Sequence, residues 1–141
     1  MFIKKSTGTR GFTLIEILVA VLIFALLTGI AVVSFQTANR RARDGRRQAD
    51  LEQVRTALEI YRADNASYPT GNWAAMVVAL QPNYLSTEPV DPRDPPYNYY
   101  YGDTGGGISY NLCAYLEGGS TTPCGVAVSC GIACNYGVTS P

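Results

Sequence analysis

The sequence predicts an α+β chain: one very long N-terminal helix, apolar in its first half and amphipathic in its second, then a small head with an antiparallel β-hairpin and disulfide-stapled C-terminal loops. Three observations predict it. After Gly11 no proline occurs until Pro69, and only Gly29 and Gly45 interrupt a sequence that otherwise tolerates a helix. Two aromatic or β-branched runs, YNYYY at 97–101 and ISYNLCAYL at 108–116, flank a glycine-rich turn at 102–107. All four cysteines, Cys113, Cys124, Cys130 and Cys134, lie in the last part of the chain.

Residues 1–11, MFIKKSTGTRG, are short, basic and hydroxyl-rich, unable to bury anything, and read as a leader. Residues 12–39 follow as the apolar segment. Glu16 is the one formal charge there, and from 17 to 39 there is none. At 1.5 Å per residue that uncharged stretch makes a helix of about 35 Å, enough to cross a bilayer core. Residues 40–65 continue the helix as an amphipathic segment. Leu51, Val54, Leu58 and Tyr61 recur at helical spacing as a narrow apolar seam. Pairs such as Asp44 with Gln48, Arg47 with Asp50 and Glu59 with Arg62 stand at neighbour spacings that support a helix. The arginines at 40, 41, 43, 46 and 47 are expected on a solvated face, with lipid headgroups as the lesser alternative.

Asn65 to Gly71 is turn chemistry, and Pro69 disfavours helical geometry in the residue before it, so the long helix should stop near Asn65. The remainder, 66–141, is a small extracytoplasmic head. A short helix is expected from about Trp73 to Leu80, then an ordered proline-rich loop through Pro82, Pro89, Pro92, Pro95 and Pro96. The hairpin follows, then a glycine-rich tail with one short strand near Val126 to Val128.

Formal charge sums to zero, with 11 basic and 11 acidic residues, but its distribution is uneven. After Ala63 the only base is Arg93, against Asp64, Glu88, Asp91, Asp94, Asp103 and Glu117. An acidic head repels phosphate, so the tyrosine-rich run is read as strand packing and a nucleic-acid partner is not expected. Basic residues flank the apolar segment on both sides and do not fix its orientation. The cysteines do: an even count confined to one side of a span reads as disulfides in an oxidising compartment, with the N-terminus in the cytoplasm. Three pairings are possible; Cys113 with Cys124 and Cys130 with Cys134 close the shortest loops. With no histidine in the chain, zinc would need four thiolates, and neither a phosphate loop nor a nucleophile with a base can be assembled. No enzyme and no obligatory cofactor is expected. Asp91, Asp94 and Asp103 are read as loop caps and surface charge, with calcium ligation by oxygen as the lesser alternative.

Arg10-Gly11-Phe12-Thr13-Leu14-Ile15-Glu16, behind a basic leader and ahead of an apolar helix, resembles the cleavage motif of type IV prepilins and pseudopilins. Ala49-Asp50-Leu51, Ala57-Leu58-Glu59, Tyr61, Asp64-Asn65 and Tyr68-Pro69-Thr70 are similar to the helix and loop of major pseudopilins of type II secretion, and Asp91-Pro92 with Pro96-Tyr97 and Tyr99 to their approach to the sheet. The likeness spans roughly 4–101. It implies the type IV pilin fold, with the long helix packed on a small antiparallel β-sheet. It also implies a prepilin peptidase that cuts between Gly11 and Phe12 and methylates the new Phe12 amine. Subunits would sit in the inner membrane lipid as single-pass precursors and be taken up by pilus or secretion machinery into a helical homo-oligomeric filament, either an extracellular pilus or a periplasmic pseudopilus.

Physical logic runs alongside. A cationic amine at a helix N-terminus opposes the helix dipole, and Glu16, one turn on, is an acid in apolar surroundings that is costly unless paired. A neighbouring subunit's Phe12 amine can neutralise it, which gives Glu16 the role of setting axial register. Two features depart from the family: the helix-breaking proline of many members is Val33 here, and no acidic cluster follows the hairpin where major pseudopilins carry a calcium loop. Other readings stay open. A small-x-small site at Gly29-Ile30-Ala31 fits a secretory signal cut before Val32, and a membrane-tethered binding or adhesion module that does not polymerise fits the same anchor.

Overall fold

A computed structural model describes residues 11–119, 124 and 130–141. The leader expected at 1–11, apart from Gly11, and the strand expected near Val126 to Val128 lie outside the described residues. The elements are α1 (Leu14–Asn65), α2 (Trp73–Leu80), β1 (Tyr100–Thr104), β2 (Ser109–Ala114) and β3 (Tyr136–Thr139). The chain divides into two units, Met1–Ala38 and Asn39–Pro141, and each is taken by itself.

In the first unit α1 begins on a cap. Thr13 Oγ1 accepts from the Glu16 amide at 3.3 Å, and the Thr13 carbonyl accepts from the Ile17 amide at 3.3 Å. Thr-x-x-Glu is the capping-box pattern, so Thr13 satisfies a donor that the first helical turn leaves open. Every hydroxyl further along is also used within the helix: Thr28, Ser34 and Thr37 donate to the carbonyls of Phe24, Ile30 and Val33 at 2.7, 3.1 and 3.2 Å. Such back-bonding lets hydroxyls sit in apolar surroundings without an unpaired donor.

In the second unit the seam expected on α1 is found in the core. Leu51, Val54, Ala57 and Leu58 are buried with Met76, Val77 and Leu80 of α2 and with Tyr101, Tyr110, Leu112 and Ala114 of the sheet. Asn72 caps α2 by accepting the Ala75 amide on its side chain, which fixes the helix start at Trp73. The three strands form one antiparallel sheet in the order β1-β2-β3, with Tyr100 opposite Cys113 and Leu112 opposite Val138. Alternation along β2 sends Tyr110, Leu112 and Ala114 into the main core. Cys113 faces a second buried cluster with Cys124, Cys130 and Tyr100. Cys113 is joined to Cys124 and Cys130 to Cys134, so no free cysteine remains.

Two elements differ from expectation. β1 begins at Tyr100 rather than Tyr97, because Tyr99 is drawn to the helix, its hydroxyl donating to Asp50 at 2.7 Å. β3 was not expected: Tyr136 to Thr139 carries three strand formers, Tyr136, Val138 and Thr139, but the run is only four residues long, is interrupted by Gly137 and lies in a glycine-rich tail.

The tail is fastened by close backbone approach. Gly131 has φ +81°, and a Cβ there would stand 1.6 Å from the Pro96 carbonyl oxygen. The neighbouring Cys130 carbonyl accepts the Asn98 amide at 3.1 Å. Gly131→Ala is therefore expected to destabilise the head by about 2–4 kcal/mol, combining left-handed backbone strain with a backbone clash. Urea unfolding of the full chain in detergent measures it, and a loss below about 0.5 kcal/mol would contradict the contact.

Candidate functional site

The residues singled out at the N-terminal junction fall in the first unit. Gly11, Phe12 and Glu16 are all exposed, Phe12 at 78 %. So are the large apolar side chains after them, on every side of the helix: Leu14, Ile17, Leu22, Phe24, Leu27, Ile30, Val33 and Phe35 among others. Each such side chain gains about 1.5–3 kcal/mol on leaving water, so this segment demands apolar surroundings from lipid or from other chains. With the hydroxyls satisfied internally, Glu16 is the single charged group between Gly11 and Arg40. Its carboxylate makes no ion pair among the described residues.

The second unit holds a charged cluster that corrects the reading of the arginines. Arg47 is not on a solvated face but fully buried, at 0 % exposure, and Asp91 is 5 % exposed rather than a surface charge. The Arg47 guanidinium grips Asp91 with two bonds of 2.7 and 3.0 Å, and its Nη1 reaches Asp44 at 2.9 Å and Glu117 at 3.2 Å. Arg43 makes a second two-pronged pair with Glu117, 2.6 Å on each side. Asp44 also accepts the backbone amides of Glu117 and Gly118, and Tyr97 lies under both Arg47 and Arg93 at 5.5 and 5.0 Å from its ring centre. The cluster ties α1 to the proline-rich loop and to the loop after β2. The expected neighbour pairs are replaced accordingly. Arg47 pairs with Asp44 rather than Asp50, and Glu59 and Arg62 meet at the Tyr68 hydroxyl rather than each other.

Burial opposes the Arg47 charge, but the bonds to Asp91 and Glu117 outweigh it and its pKa is raised. The Arg43 guanidinium holds the Glu117 carboxyl at about 2, well below its ordinary 4.5. A lowered acid pKa gives stability that is complete above the ordinary value and is lost as pH falls towards the lowered one. Stability of the head is thus expected to fall by about 2–3 kcal/mol between pH 5 and pH 2 on account of Glu117, a slope that Glu117→Gln flattens in pH-dependent unfolding. An unchanged slope in that variant would contradict the assignment. Elsewhere burial raises the Tyr99 and Tyr110 hydroxyls, helped by Asp50 and Glu59, so both remain protonated donors to those carboxylates.

Among the described residues no three histidine, cysteine, aspartate or glutamate side chains converge as metal ligands would. Asp91 is taken up by Arg47, and Asp103 accepts the Gly107 amide at 2.7 Å. The sequence signal for Arg47 was present: 47, 51, 54 and 58 continue one helical stripe, so the arginine stands on the apolar seam. Its partners Asp91 and Glu117 lie 44 and 70 residues away, beyond any local pattern.

Comparison with known proteins adds three findings. Residues 7–32 match the family model described as the prokaryotic N-terminal methylation motif. The chain is 32 % identical to the type II secretion system core protein G of Pseudomonas aeruginosa, over 78 % of this chain and 87 % of that protein. It is 28 % identical to the protein of the same name from Vibrio cholerae, over 68 % and 73 % of the two chains, and 38 % identical to the type IV wide pilus major component PilA4 of Thermus thermophilus, over 50 % and 53 %. No solved structure matches.

Proposed function

The chain belongs to the type IV pilin and type II secretion pseudopilin family, and from that premise we propose that it is a structural subunit of a type IV pilus-like filament, polymerised through α1. The observation that carries the reading is the exposed apolar surface of residues 12–35 with a single carboxylate in it. An anchor needs only apolar length; a polymerising core also needs a pairing group, and Glu16 supplies one.

In this reading a prepilin peptidase cuts after Gly11 and methylates the Phe12 amine. The precursor spans the cytoplasmic membrane once with its N-terminus inside, and lipid covers the apolar segment until neighbouring helices replace it. Packing of helix on helix then buries the same side chains a second time, so little apolar area is lost on leaving the membrane. Within the packed core the amine of one subunit neutralises Glu16 of another. The arginine cluster keeps the head fixed on its helix and does no chemistry. The second reading, a major pseudopilin of a type II secretion system, has the same architecture and is supported by the match along 87 % of the Pseudomonas aeruginosa protein.

Shearing of cells that express the full chain with its assembly machinery tests polymerisation. The expected result is chain in the sheared, sedimentable fibre fraction. A chain found wholly in the detergent-soluble membrane fraction overturns the surface-pilus reading; chemically crosslinked multimers of the chain in that fraction then favour the periplasmic pseudopilus, and monomer alone favours a non-polymerising tethered module.

A further inference from the structure

Beside β1, the outer strand of the sheet among the described residues, the head carries an open cleft of about 360 Å³. Its walls are aromatic: Trp73 at the start of α2, tilted against Tyr99 at 5.5 Å between ring centres, and Tyr100. Its charged lining is acidic throughout, from Glu88, Asp91 and Asp94. Asp91 is spent on Arg47 and Glu88 accepts the Trp73 indole N–H at 2.9 Å, yet among the described residues neither Glu88 nor Asp94 has a cation within ion-pair distance. Carboxylates beside ring faces in a cleft without a base fit a guanidinium or ammonium group.

The same chain carries the matching groups. Of the arginines at 40–47, Arg43 and Arg47 have carboxylate partners in their own head, and Arg46 has Asp50 on its own helix. Arg40 and Arg41 are exposed and have none among the described residues. The cleft is tied through Asp91 to the level of Arg47 on α1, and Arg40 stands seven residues before it, about 10 Å of helical rise. A neighbour displaced towards the C-terminal end of α1 by about that rise brings its Arg40 and Arg41 level with the cleft. Pairing a neighbour's Phe12 with Glu16 requires a displacement in the same sense. One surface offers acid and the other base, so the contact is heterologous and propagates head to tail instead of closing a dimer.

We propose that this cleft is an assembly contact, receiving Arg40 or Arg41 of a second copy of this chain between Trp73, Tyr100, Glu88 and Asp94. The inference rests on the filament reading and adds to it a contact between heads.

Charge reversal in the full chain tests it, scored by sheared filament yield and by the fluorescence of Trp73, the sole tryptophan. Arg40→Glu with Arg41→Glu, and separately Glu88→Lys with Asp94→Arg, are each expected to cut yield about tenfold and to abolish the change in tryptophan emission on assembly. Combining all four substitutions is expected to restore both. If the unsubstituted chain forms no filaments, the filament reading falls and this contact with it. Filaments from the unsubstituted chain with either reversal at undiminished yield, or with no recovery in the combined chain, overturn the contact alone. Should a reversed chain fail to fold, Arg41→Cys combined with Asp94→Cys replaces it: a ladder of intermolecular disulfides in oxidised filaments supports the contact, and filaments without a ladder overturn it. Quenching of Trp73 by free arginine, with filaments indifferent to the reversals, would show a site for some other cation and overturn the second copy as its occupant.

Discussion

Replacing Arg47 with alanine is expected to lower the stability of the head by about 3–5 kcal/mol, a large share of what a domain of this size possesses. The magnitude follows from what is left behind rather than from what is removed. Asp91 has a side chain only 1 % exposed and takes both its charged bonds from Arg47. Without the guanidinium, an ionised carboxylate remains buried with the backbone amide of Arg93 as its other donor, while Asp44 and Glu117 each lose a partner. Urea unfolding of the full chain in detergent, followed by tyrosine and tryptophan signals of the head, reads the loss. A companion variant separates charge from packing: Arg47→Met with Asp91→Leu removes both ions and is expected to recover most of the lost stability. A loss below about 1 kcal/mol in Arg47→Ala would contradict the central place given to the cluster.

The second large effect is expected at the other end of α1. Glu16→Ala should leave processing between Gly11 and Phe12 intact and cut filament yield by about tenfold or more, because each neighbour's Phe12 amine would then be buried unpaired. Among the described residues Glu16 makes only a capping contact, through its own amide to Thr13, which alanine retains. Immunoblots for the processed chain and quantified sheared fibres read the two halves separately. Normal processing with normal yield would remove Glu16 from assembly and leave it a capping residue.

How much of this was legible beforehand depends on range along the chain. The core stripe Leu51, Val54, Leu58 and the bounds of α2 at Trp73 and Leu80 could be read because periodicity and an N-cap act within a few residues. The β1–β2 hairpin was legible in kind, but its start moved by three residues because Tyr99 answers to Asp50, 49 residues away. β3 was missed for a related reason: Tyr136, Val138 and Thr139 favour a strand, but a four-residue run broken by Gly137 is too short to stand out in a glycine-rich tail and is fixed by its pairing with β2. Arg47 shows the limit most clearly. Its place on the seam marked it for burial, yet five arginines in eight residues read as a solvated cluster while Asp91 and Glu117 stood far off in sequence. The N-terminal junction is the opposite case. Gly11, Phe12 and Glu16 stood out through the resemblance of residues 10–16 to the prepilin cleavage motif, and the fold adds only that they lie exposed, with Thr13 capping the helix between them.

The claim that joins these parts is that residues 12–35 serve as the core of a polymer and not solely as an anchor. The most direct measurement is N-terminal sequencing and mass determination of the chain recovered from purified fibres. A subunit beginning at Phe12 with a methylated amine is the predicted result. A subunit beginning at Val32, or fibres that do not contain the chain, would contradict it.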